Sequence, residues 1–88
     1  SMAGYPSGLY QISIMKQTNA SSYITAIIKW DSTAVGSSAG SIVNTIASNQ
    51  IAIGFNGSTT LQAISGLTTG TAMSANLKCL VKYEAACV

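Results

Sequence analysis

Apolar and polar residues alternate along most of this chain with the period of two that lets a strand bury one face. From Leu9 to Lys16, Tyr10, Ile12 and Ile14 fall on one face and Gln11 and Ser13 on the other, with Leu9 and Met15 at its ends. From Tyr23 to Trp30, Ile24, Ala26, Ile28 and Trp30 share a face opposite Thr25 and Lys29. The polar run Thr18-Asn19-Ala20-Ser21 between these segments suits a hairpin loop. A second hairpin is predicted where Ile51, Ile53 and Phe55 alternate with Ala52 and Gly54, and Thr59 to Ser65 resumes the strand pattern after Asn56-Gly57. Asn-Gly in that position marks a type I′ turn, because both central residues need positive φ. A last strand runs from about Ser74 to Ala85, with Leu77, Cys79, Val81 and Tyr83 on one face and Asn76, Lys78, Lys82 and Glu84 on the other.

Three segments break the pattern. Ser32 to Gly40 and Gly66 to Gly70 are rich in small residues, lack periodicity and read as loops. Ser41 to Ser48 is ambiguous: Ile42, Val43 and Ile46 fall at i, i+1 and i+4, which fits a short helix with a serine near its start. A short irregular strand fits it almost as well. Five strands with Gly-rich turns and little helix predict an all-β fold, either a small antiparallel sandwich, jelly-roll-like, or a barrel, with the one short helix over 41–48 as an option.

Length makes this one domain with a thin core, since a chain of 88 residues buries only about two-thirds of its unfolded surface. Ser1-Met2 reads as a scar of protease cleavage after expression, so residues 1–4 are expected as a tail ahead of a single β domain over 5–88. The abnormal quantity is charge. Only 7% of residues are charged, against roughly 25% in an ordinary soluble domain. Low charge gives copies of the chain little electrostatic reason to stay apart, so self-association is expected. Four lysines and no arginine fall short of the roughly 6–10 phosphate contacts that grip a duplex, so no nucleic-acid partner is expected. No run is long and apolar enough to predict a membrane span.

The chemistry-bearing residues are few. Histidine is absent, which removes the commonest general base and metal ligand. Asp31 and Glu84 are the only carboxylates, each two residues from a lysine, Lys29 and Lys82. Solvated ion pairs are expected there rather than a paired-carboxylate site. No Ser-x-x-Lys spacing supplies an activating base for a serine. No catalytic, cofactor-binding or metal-ligating residue is therefore predicted, and no cofactor. Cys79 and Cys87 would lie about 26 Å apart along one extended strand, so a disulfide between them requires the chain to turn back after about Tyr83. The alternative is a core Cys79 and a free thiol at Cys87. Asn19-Ala20-Ser21 and Asn56-Gly57-Ser58 match the glycosylation sequon, at a frequency expected by chance in so Asn/Ser/Thr-rich a chain. Tyr5 and Trp30 are the candidate binding aromatics for a carbohydrate-binding module. Trp30 and Tyr10 also fit apolar stripes, which is the core-packing alternative, whereas Tyr5 beside Pro6 is the aromatic expected to be exposed.

The opening Pro6-Ser7-Gly8-Leu9-Tyr10-Gln11-Ile12-Ser13, with the strand Ile24 to Asp31 and the closing Asn76 to Glu84, resembles small β-domains of bacteriophage tail fibres and virion-surface proteins. The resemblance covers about a third of the chain. It implies a jelly-roll-like, often trimeric, structural module on a virion or an extracellular surface, with a cell-surface glycan or protein receptor as partner. The Ser/Thr/Gly-rich sequence and C-terminal cysteine pair are also similar to the globular part of type IV pilins and related surface-fibre subunits. That family carries a long amphipathic N-terminal helix, which these 88 residues do not contain.

Overall fold

Each alternating segment becomes a strand because one of its faces is apolar enough to bury. The computed structural model describes residues 1–33, 39–56, 59–67 and 72–82. Within them lie six strands: β1 (Gly8–Lys16), β2 (Tyr23–Trp30), β3 (Gly40–Asn49), β4 (Ala52–Asn56), β5 (Thr60–Ser65) and β6 (Met73–Lys82). Four form an antiparallel sheet in the order β3-β2-β1-β6, and β4 and β5 form a separate hairpin. Among the described residues the larger sheet ends at β3 and β6 without closing, which gives an all-β structure of two antiparallel sheets.

The hairpin packs on the inner face of the larger sheet. Tyr10, Ile12 and Ile14 of β1 and Ile24, Ala26, Ile28 and Trp30 of β2 are all buried there, together with Ile51 and Ile53 from the hairpin side. Phe55 lies flat over Trp30, with ring centroids 6.4 Å apart and planes 11° from parallel. Gly40, opposite Trp30, leaves room for this: a Cβ on it would fall 2.5 Å from the Phe55 ring. Residues 1–4, expected as a tail, include Met2, whose side chain is 4% exposed and whose amide donates to the Thr59 carbonyl at 2.7 Å. The N-terminus thus packs with the domain.

Of the two readings open for residues 41–48, the short helix is not formed and the irregular strand is: they are the body of β3. Two irregularities in its pairing with β2 explain the misleading pattern. Ile28 pairs with Ile42 but Ile27 with Asn44, and Ala26 pairs with Thr45 but Thr25 with Ala47. Val43 and Ile46 are the extra residues of two β-bulges. Each bulge adds an aliphatic residue out of step with the alternation, so Ile42, Val43 and Ile46 fall at i, i+1 and i+4 and imitate a helix. The type I′ turn expected at Asn56-Gly57 joins β4 to β5, whose last described pair is Asn56 with Thr60. Residues 57 and 58 lie outside the described residues.

The chain first crosses from one sheet to the other at a tight corner between β3 and β4. Gln50 sits between β3 and β4 with φ of 68°, a left-handed conformation uncommon for a residue with a side chain. Its side-chain carbonyl accepts a bond from the fully buried Ser22 at 3.0 Å, and Asn49 donates to the Ser21 carbonyl at 2.7 Å. The corner is therefore tied to the β1–β2 turn. Gly66 closes it from the other side.

Candidate functional site

Three places gather side chains with some chemical capacity. The first is polar. The β1–β2 register pairs Gly8 with Trp30, which sets Ser7 beside Asp31 at the sheet end. The Ser7 hydroxyl, 9% exposed, lies 3.0 Å from the Ser32 hydroxyl and 3.5 Å from the Asp31 carboxylate. It also accepts the Ser32 amide at 2.8 Å. Asp31 accepts the amide and hydroxyl of Thr33 at 2.9 and 2.7 Å, an Asx-type turn that satisfies local backbone. A serine beside a carboxylate, with no imidazole or amine directed at it in these bonds, is equipped to fix a turn. Lys29 is exposed, two residues before Asp31. The pair expected between Lys82 and Glu84 lies outside the described residues.

The second place is aromatic. Trp30 is 3% exposed; its indole N–H donates to the Tyr5 carbonyl at 2.9 Å while one face stacks on Phe55. Little of the ring is left to receive a ligand. Tyr10 donates to the Pro6 carbonyl at 2.5 Å, so two buried aromatics tether the segment Tyr5-Pro6. Tyr5 itself is 43% exposed and meets Tyr10 edge-on, centroids 5.9 Å apart. Of the two aromatics singled out in the sequence, Tyr5 is at the surface and Trp30 is in the core.

The third is a groove of about 300 Å³ at the end of the β2-β1-β6 array, with Met15, Tyr23, Ser13, Thr25 and Asn76 among its lining residues. The Ser13 and Thr25 hydroxyls bond each other across the strands at 3.1 Å. Tyr23 supplies an aromatic face and Asn76 an amide, the combination that stacks on and hydrogen-bonds to a sugar ring. Only the β1-β2-β6 pairing brings these residues together, so no local pattern along the chain marks the groove.

Cys79 is disulfide-bonded and half-buried on the inner side of β6; its expected partner Cys87 lies outside the described residues. Among the described residues no three histidine, cysteine, aspartate or glutamate side chains gather as metal ligands, and no helix is long and apolar enough to cross a membrane. Asn19, the head of one sequon, is exposed and accepts the Ser21 amide at 3.0 Å.

The feature absent from the sequence reading is a property of the strand irregularities. Besides Val43 and Ile46, Leu80 has no partner in the β1–β6 ladder, where Leu9 pairs with Val81 and Tyr10 with Cys79. Ile64 has none in the hairpin, where Ala52 pairs with Ser65 and Ile53 with Ala63. Every bulge among the described strands thus carries an aliphatic residue. All four face water: Val43 is 55% exposed, Ile46 52%, Ile64 62% and Leu80 38%. Periodicity could not show this, because a bulge is defined by the partner strand.

Comparison with protein-family models, with curated proteins and with solved structures returns no match.

Proposed function

We propose that this chain is a non-enzymatic structural module, one unit of a virion or surface fibre, that assembles with copies of itself. The observation that carries this reading is the set of four exposed bulge aliphatics, Val43, Ile46, Ile64 and Leu80. Isolated exposed apolar residues are ordinary. Here they recur at each irregularity of the strands, on a chain with no charged residue from Ser32 to Leu77. Bulges usually help an edge strand avoid partners, and charge completes the protection. Leu80 has Lys78 and Lys82 two residues to either side, but Val43, Ile46 and Ile64 lie within the uncharged stretch, and bulges that present aliphatic side chains without charge beside them are suited to contact instead. The resemblance to phage fibre domains adds the virion setting, and a receptor on a cell surface is the corresponding outer partner.

Sedimentation of the whole chain over a wide concentration range tests self-association. A mass that rises with concentration is expected. A single monomeric species at the highest concentration overturns the reading.

A further inference from the structure

We propose that the groove across the ends of β1, β2 and β6 binds a carboxylate-bearing sugar ring. Tyr23 is its stacking face, Asn76 the partner of its hydroxyls and Lys78 the partner of its carboxylate. The site stands apart from self-association and gives the receptor-side contact a ligand class. Its floor follows from strand register. Ser13 lies opposite Thr25 and Asn76, and Met15 lies opposite Tyr23 and Ser74. Residues directly opposite in an antiparallel pair share a face. These side chains therefore sit together on the side of the sheet away from Ile14 and Ile24, which are buried. A groove of about 300 Å³ is at the small end of ligand pockets, with room for a single ring.

The ligand class follows from what the groove presents. Its surface is mainly apolar, because the Ser13 and Thr25 hydroxyls bond each other while Met15 and Tyr23 are exposed. Apolar walls with a few placed polar groups are the usual build of a small-ligand site. A pyranose has a C–H face that suits an aromatic ring, and hydroxyls around its edge. Tyr23 takes the face, and among the described residues no other ring stacks on it. The exposed Asn76 amide takes the edge, with two donors and a carbonyl acceptor. The charge comes from Lys78. It pairs with Gln11, which shares the face of Ser13, and so projects beside Asn76. Two strand positions separate the Asn76 and Lys78 Cα atoms by roughly 6.5 Å, within the span of a lysine side chain. Asp31, the one carboxylate among the described residues, lies past the opposite end of β2 and is bonded by Ser7 and Thr33. The ammonium thus has no described acid competing beside it, which favours an anionic ligand. Phosphate and simple carboxylates share the charge but offer Tyr23 no C–H face.

Amide-shift titration of the whole isotope-labelled chain with methyl glucuronide and methyl glucoside, which differ only in a carboxylate against a hydroxymethyl group, tests the site. The glucuronide is expected to shift amides over 13–15, 23–25 and 74–76. It should bind roughly tenfold more tightly than the glucoside, the effect of one charge-assisted hydrogen bond. Lys78→Gln should remove that preference, and Tyr23→Ala should weaken both glycosides about fivefold. Tyr5→Ala should change neither. Equal binding of the two glycosides overturns the role of Lys78. Acetate bound as tightly as the glucuronide overturns sugar recognition. Shifts confined to other residues, or none, overturn the groove. Tyr23 and Lys78 are exposed, and unchanged shifts over β4 and β5 report that a variant is folded. Should one not fold, the glycoside comparison on the unmodified chain decides alone. A chain that self-associates yet binds neither glycoside overturns this site only. A monomer that binds the glucuronide overturns only the assembly reading.

Discussion

The phenol of Tyr10 holds its proton between two influences. Its side chain is 3% exposed and donates to the Pro6 carbonyl. Burial raises its pKa above the ordinary 10.0, and the nearby Tyr5 adds to the rise. The folded chain therefore keeps this proton at a pH where the unfolded chain has released it. Tyr10 costs nothing below the unfolded value, and stability falls as pH rises through and beyond about 10. Urea unfolding followed against pH should show a midpoint that declines above this point as tyrosinate absorbance appears on unfolding. Tyr10→Phe should flatten that decline while costing about 1 kcal/mol near neutral pH for the lost hydrogen bond. An equal decline in the variant would show that another group is responsible.

At the level of elements, the corner between β3 and β4 is the most constrained point. Gly66 has φ of +85°, and a Cβ there would stand 2.0 Å from the Gln50 carbonyl oxygen. Gly66→Ala should destabilise the fold by about 3 kcal/mol, through backbone strain and the clash together. Gly66→Asn separates the two causes. Asparagine tolerates positive φ, so if contact with Gln50 dominates, thermal melting will show it nearly as damaging as alanine. A mild Gly66→Asn would assign the cost to strain alone. Elements with a simple period were legible in the sequence: β1 and β2 were readable almost residue by residue, because each strand buries one unbroken face. β4 and β5 were readable for the same reason. β3 was legible only as one of two options, since the aliphatic residues that its two bulges add break the period of two. Both aromatics were legible: exposure of Tyr5 follows from its place beside Pro6 and burial of Trp30 from its apolar stripe, whereas its stacking on Phe55, which arrives from another sheet, was not. The four bulge aliphatics carried no signal at all, because an unpaired residue is visible only beside the strand that skips it.

On the scale of the whole molecule, strand order decides how the sheet is completed. β1 pairs with β2 across a short turn and with β6 from the far end of the chain, Gly8 lying opposite Lys82. Such non-local pairing is slow, because the closure entropy of a long loop is lost before the contacts reward it. Refolding from urea, followed by Trp30 fluorescence as Phe55 stacks on it, is expected in the millisecond-to-second range. A microsecond phase carrying the full amplitude would contradict this. The same strand order has a meaning in time. On the ribosome β1, β2 and β3 can form their meander early, yet the second edge of β1, the middle of the finished sheet, waits for the last strand to emerge. For that interval the future interior of the sheet is its open border, and a β6 from a neighbouring nascent chain fits the gap as well as the chain's own. Crowded synthesis therefore favours exchange of the last strand between chains, and a chain made alone has only its own β6 to fill the gap.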